Sequence, residues 1–226
     1  MINDPLLTVA YIRTKDTTQE QINHFLSFFE DSQVVVTEHW AIPGDRQTTV
    51  MNIFTATKTP YVTIVDPNGW VDVEKMLDVV SILQSREQLA FAVPRVCLIK
   101  STGEQHVSRP SASLSPADIY ISANRLAPIT IYRLSMVNEI IEQFYRKFFG
   151  HFEWVLRMVL ANKYRFKALD EVVYYYGDGA RSSVISEGER FIKPGKSVEA
   201  LLKDGLITLN AYQGLAIGIK INPVEQ

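Results

Sequence analysis

The residue placed most plainly to do chemistry is Asp66, within the stretch Tyr61-Val62-Thr63-Ile64-Val65-Asp66-Pro67-Asn68-Gly69-Trp70. Five residues of high β propensity run without a charge into a carboxylate, and Pro67, Asn68 and Gly69 follow as turn formers. A continuously apolar run closed by a turn suits a strand buried on both faces, as in parallel sheets. Open α/β sheets bind ligands at the carboxyl ends of their strands, so Asp66 stands where a carboxylate would face a ligand crevice. The same side chain could equally start the turn or cap the helix behind it. Local sequence leaves both roles open.

Two earlier strand ends also carry polar groups. Residues 6–12 read as a buried strand ending near Arg13-Thr14, and Val34-Val35-Val36 as a shorter one with Glu38-His39-Trp40 at its carboxyl end. Between them, Thr17 and Glu20 have capping-box spacing ahead of a helix whose apolar face is Ile22, Phe25, Leu26, Phe28 and Phe29. The turn Pro43-Gly44-Asp45 precedes a helix over 46–56 with Val50, Ile53 and Phe54 inward. Asp72 is the expected N-cap of a helix over 73–84, with Val73, Met76, Leu77, Val79, Val80 and Leu83 as its apolar positions. Three strand–helix units in 85 residues predict an α/β fold with a mainly parallel central sheet flanked by helices. Right-handed crossovers would bring Thr14, Glu38 and Asp66 onto one rim.

The second half reads differently. Residues 90–100 form a strand, with Ser101-Thr102-Gly103-Glu104 as a hairpin turn. Residues 108–118, holding four serines and two prolines, read as an extended loop, either a substrate-facing lid or a disordered segment. A short strand over 129–132 leads to a helix capped by Ser135, with Val137, Ile140, Ile141, Phe144 and Phe148 inward. Gly150 breaks it, a helix over 152–162 follows, and residues 163–176 are one long strand or a strand pair ending in the polar loop 177–183. Residues 1–185 are expected to form one compact unit, with 186–226 as an extension packed on it.

Composition narrows the function. A 46% apolar fraction fills a sizeable core, and 23 basic against 25 acidic residues leave a net charge of −2, without the global basic field of a nucleic-acid binder. The single cysteine, Cys97, excludes an intrachain disulfide and a cysteine zinc site, and its apolar surroundings suit a buried reduced thiol. No apolar run approaches the roughly 20 residues that span a bilayer, and residues 1–5 lack a signal-peptide pattern. A cytoplasmic protein without membrane insertion is the expectation.

Two blocks carry a family likeness: TPYVTIVDPN at 59–68, and FFGHFEWVLRMVLANKYRFKALDEVVYYY at 148–176. With the order of elements over 6–185, they resemble the glycosyltransferase A fold and, more narrowly, the inverting nucleotide-sugar glycosyltransferases of family 2. The resemblance implies an enzyme that moves a hexosyl or pentosyl group from a nucleotide diphosphate sugar, most naturally UDP-linked, to an acceptor hydroxyl. Asp66 matches the leading acid of the family's Asp-x-Asp motif, near the ribose and a divalent cation (Mn or Mg). Asn68 at its third position makes the motif degenerate, since a neutral oxygen ligand holds such a cation less well. Arg13, Thr14 and Glu38 would serve the nucleotide end, with Glu38 in place of an Asp that bonds a uracil ring. Asn52 falls where the family often has an Asn, and Arg181 with Ser182 and Ser183 could hold the diphosphate.

For the general base, counting back from Arg157 aligns Glu153 with the family's later acid, while Gly150 and His151 replace its acidic pair. His151 has a suitable ordinary pKa; Glu153 would need its own raised by burial, or else pairs with Arg157 at i,i+4. Trp40 and Trp70 could stack on a base or sugar, or simply pack. The acceptor stays open among a soluble saccharide, a protein side chain and a hydroxylated nucleic-acid base. Arg133, Arg146, Lys147, Arg157, Lys163, Arg165 and Lys167 would form the basic face that the last requires. The departures at Asn68 and at 150–151 also suit a nucleotide-binding or interaction module without catalysis. A nucleotidyltransferase would carry a glycine-rich phosphate loop after its first strand, which Arg13-Thr14-Lys15-Asp16 does not supply.

Overall fold

The three apolar runs of the first 65 residues become neighbouring parallel strands. β1 (Leu7–Arg13) lies between β2 (Val34–Trp40) and β3 (Tyr61–Val65), and every residue of β3 is buried. The connecting helices are α1 (Gln19–Ser27) and α2 (Arg46–Ala56). A computed structural model describes residues 4–30, 32–107, 129–144, 152–177, 202–203 and 205–206. Beyond β3 come β4 (Gly69–Val71), α3 (Val73–Gln84), β5 (Leu89–Ile99), β6 (Gln105–Val107) and β7 (Ile131–Arg133). The described chain continues through α4 (Leu134–Ile141), a single 3-10 turn (Glu142–Phe144), α5 (Phe152–Lys163) and β8 (Arg165–Gly177).

The sheet order is β2-β1-β3-β7-β5-β8-β4, with β6 paired on β5. The α/β class and the flanking helices agree with expectation. The sheet is parallel through β2, β1 and β3, as the strand–helix units require, and mixed beyond. The short strands β4, β6 and β7 all run antiparallel to their partners, while β8 is parallel to β5. Residues 165–177 form one long strand, bulged against β5.

Helix ends follow their caps closely. Asp45 and Asp72 accept the amides of Thr48 and Lys75, fixing α2 and α3 where the sequence placed them. At α1 the box belongs to Thr18 and Gln21 instead, because Thr17 turns inward and is buried. Ser135 is not a cap either. β7 runs directly into α4, so the helix begins at Leu134, whose amide is satisfied by the Pro60 carbonyl at 2.9 Å.

Aromatic contacts lock the layers together. Phe54 of α2 meets Tyr132 of β7 edge-on at 5.4 Å, and Phe91 of β5 stacks on Phe166 of β8 at 5.2 Å. Burying such a side chain contributes about 1.5–3 kcal/mol. Cys97 is buried. Leu202 and Leu206, in the C-terminal stretch, lie against the same core. The expected domain boundary at 185 and the loop at 108–118 fall outside the described residues. Among the described residues, no helix is long and apolar enough to cross a membrane.

Candidate functional site

Chain order turns back at β1: the connection from β1 leads to β2 on one side, and the next returns to β3 on the other. Such a switch point is where α/β sheets open a crevice at their carboxyl ends. Register places Tyr11 of β1 directly opposite Glu38 of β2 and Val65 of β3, one residue before Asp66. The expected meeting of three strand ends is therefore built on Tyr11, which the sequence reading did not single out. Its signal was present: Tyr11 and Arg13 are two apart on a strand and share a face.

The Tyr11 hydroxyl donates to Glu38 Oε2 at 2.6 Å, and Arg13 Nη1 lies 3.5 Å from the same oxygen. Burial first, then the adjacent Glu38, push the Tyr11 phenol well above its ordinary range, so it stays a proton donor. The Arg13 guanidinium sits 4.7 Å from the ring centre of Trp40, which is 60% exposed. Thr14 is fixed beside them. Its amide donates to Thr17 Oγ1 at 3.1 Å, and the two hydroxyls are 3.1 Å apart. A polar cluster with an exposed aromatic lid thus closes the β1–β2 end.

At the β3 end, Asp66 Oδ1 accepts the Asn68 amide at 3.0 Å, an Asx turn. The turn is seated on β8. The Tyr174 hydroxyl donates to the Asp66 carbonyl at 2.7 Å, and the Asp72 amide donates to the Val173 carbonyl at 3.0 Å. Gly69 faces Tyr174 so closely that any Cβ there would collide with the phenol tip and with the Tyr175 carbonyl. Burial, then the nearby Asp66, push the Tyr174 phenol up, so it too remains a donor. Asn68 Oδ1 is buried without a hydrogen-bond partner, which costs free energy unless a ligand supplies one.

The third cluster surrounds Glu153 in the first turn of α5. Arg46, the first residue of α2, grips its carboxylate with two bonds, Nε to Oε2 at 2.5 Å and Nη2 to Oε1 at 2.8 Å. Arg157 is instead buried. Its Nε donates to the Glu153 carbonyl at 3.2 Å and its Nη1 to Thr130 Oγ1 at 3.3 Å. The i,i+4 carboxylate pair with Arg157 is therefore not what forms. Burial pushes the Glu153 carboxyl up, but Arg46 and then Arg157 outweigh it and hold it below the ordinary carboxylate range. The upward shift on which a base role was conditioned is absent. Arg46 was missed, although an arginine opening a helix opposes the helix dipole and so signals a partner elsewhere. Nearby Tyr132, fully enclosed, has its phenol pushed up to about 12, chiefly by burial.

Asn52 lies on the exposed side of α2. His151, Arg181, Ser182 and Ser183 lie outside the described residues. Of the described members of the expected basic face, Arg165 and Lys167 lie on β8, and the other three are otherwise engaged. Arg133 is spent on the carbonyls of Leu83, Arg86 and Leu89 and on the Tyr61 hydroxyl, Arg157 is buried, and Lys163 pairs with Glu139 at 3.1 Å. Among the described residues, no three of His, Cys, Asp and Glu cluster as metal ligands.

No protein-family model matches this chain, and no curated protein sequence does. Solved structures do. S. aureus TarS 1–349 in complex with UDP-GlcNAc matches with a TM-score of 0.55 and 12% identity, over 97% of this chain and 68% of that one. The UDP complex of TarS 1–349 matches at 0.51 and 12% identity, over 97% and 67%, and a further TarS 1–349 structure at 0.51 and 12%, over 76% and 60%. The chain thus spans 60% to 68% of the length of these chains. At this identity the likeness speaks for the fold, and the chain has a glycosyltransferase A-like α/β fold of the kind seen in TarS 1–349.

Proposed function

We propose that this protein is a glycosyltransferase taking a sugar from a UDP-linked donor to an acceptor hydroxyl. The observation that carries the reading is the register that sets Tyr11 against both Glu38 and Val65, bringing the polar end of β1–β2 beside the Asp66 turn. TarS 1–349, which shares the fold, has been solved with UDP and with UDP-GlcNAc. In this reading Glu38 accepts from the uracil ring, Arg13 and Trp40 flank the base, and Thr14 and Asn52 border the nucleotide. Asp66 bonds the ribose, while Arg181 and Ser182 hold diphosphate oxygens.

A divalent cation, Mn or Mg, fits the Asp66–Asn68 turn as a partial site. Hard cations take oxygen ligands, and Asn68 Oδ1 is a buried oxygen in need of one. Asp66 and Asn68 would hold it together with donor phosphate and water, and it would neutralise the charge that develops on the leaving diphosphate. The rest of the chemistry falls to side chains. Arg46 occupies one lone pair on each Glu153 oxygen, leaving others for an acceptor hydroxyl. As that hydroxyl attacks the anomeric carbon, its proton passes to Glu153 and the bond from that carbon to the diphosphate breaks. His151, two residues earlier, is the other proposed base.

The clamped Glu153 and the neutral Asn68 favour a second reading, a nucleotide-binding module without transfer. Release of UDP from UDP-GlcNAc and other UDP-sugars, with and without Mn²⁺ and with a panel of hydroxylated acceptors, separates the two. The first reading predicts acceptor-stimulated UDP release. Donor binding without release supports the module, and absence of binding removes both.

A further inference from the structure

Just beyond the Asp66 turn, β4 displays an aromatic surface to which the donor reading above assigns no role. Trp70 is 43% exposed and lies 4.5 Å, centre to centre, from the ring of Tyr175, its direct partner across the β4–β8 ladder. Trp70 is not needed to anchor β4. Gly69 and Val71 are the buried residues of that strand, and the Tyr174 hydroxyl and the Asp72 amide fasten it at both ends. Along one edge, Lys75 pairs with Asp72 at 2.8 Å. The pair is thus a rigid, partly wet aromatic shelf with polar groups along its border, two residues from Asn68.

We infer that Trp70 and Tyr175 form the acceptor shelf, on which a pyranose ring of a neutral saccharide stacks while Lys75 and Asp72 bond its hydroxyls. This rests on the glycosyltransferase reading, and it chooses among the acceptor classes left open above. Two adjacent, partly exposed rings offer a flat platform, and Trp and Tyr give large contact area at small entropic cost. The C–H faces of a pyranose match an aromatic plane, and its hydroxyls match the mixed donor and acceptor border. Charge selects the class. Lys75 is already neutralised by Asp72, and Glu74 adds a further negative charge beside it, so a phosphate backbone or an acidic polymer is disfavoured. A neutral sugar meets no such penalty.

The test uses the full chain with UDP present and maltohexaose, cellohexaose and chitohexaose as probes, read by saturation-transfer NMR alongside calorimetric titration of UDP. The expected result is binding of at least one hexasaccharide, weakened about tenfold in Trp70→Ala and kept in Trp70→Phe, with UDP affinity unchanged in both. Equal saccharide binding by Trp70→Ala overturns the inference. So does a wild-type protein that binds UDP but none of the three probes, or one that, in a parallel titration with single-stranded DNA, binds the DNA more tightly than any of them. A protein that binds no UDP fails at the donor reading itself, which the calorimetric arm identifies separately.

Discussion

Arg46 decides what Glu153 can be. The two-bond grip from α2 keeps the carboxylate charged to lower pH than an ordinary glutamate, against the upward pull of burial. Because the folded pKa is depressed, the pair's contribution to stability is complete above the unfolded value of about 4.3 and is lost as pH falls through the folded one. Arg46→Gln should cost about 2 kcal/mol at neutral pH, a charge-assisted bond left unmade, and less near pH 3, below the unfolded value of about 4.3, where part of the pair's contribution has been lost. Urea melts at the two pH values measure this. If Glu153 is the base, the acid limb of the pH–rate profile in Arg46→Gln moves to higher pH, since burial then acts less opposed. An unmoved limb assigns proton removal to another group, with His151 next.

The element that shapes the donor site is the β3–β4 turn, which is only as rigid as its seat on β8. Tyr174→Phe should remove about 1 kcal/mol by deleting the bond to the Asp66 carbonyl. Gly69→Ala should cost about 1–3 kcal/mol, because the new methyl meets Tyr174 and backbone rather than space. Thermal melts paired with UDP titrations test both, and each variant should lose donor affinity along with stability. Stability loss with undiminished UDP affinity would detach the turn from the donor. These elements differ in how far sequence could disclose them. The limits of α2 and α3 were readable because Asp45 and Asp72 cap them from immediately outside. β4 was not, since a three-residue strand containing glycine has no periodicity of its own and exists through a partner more than 100 residues downstream. Thr17 and Thr18 offered the same cap chemistry one residue apart, and the choice was made by the burial of Thr17.

Over the whole molecule, the parallel strands β2, β1 and β3 supply the rim, and the mixed half supplies the struts that hold it. β7 places Tyr132 and Arg133 behind β3, β8 places Tyr174 under the Asp66 turn, and α5 brings Glu153 to the start of α2. Continuous apolar runs, turn residues and caps made the rim legible residue by residue. The struts were not legible, because pairs such as Arg46–Glu153, 107 residues apart, are set by tertiary packing and leave no local pattern. Glu38 and Asp66 stand out at strand ends, whereas Tyr11 and Arg46, each with a weaker local signal, take their roles from partners 27 and 107 residues away.

The central claim is that the Asp66 turn and the β1–β2 end together bind a uridine diphosphate donor. Asp66→Asn tests it most directly, because the amide oxygen keeps the Asx turn while the charge is lost. Calorimetric titration of UDP in the presence of Mn²⁺ should give saturable binding to the wild-type protein. Affinity should fall by about tenfold or more in Asp66→Asn, with an unchanged melting temperature. Equal affinity in the two proteins, or no UDP binding by the wild type, would contradict the account.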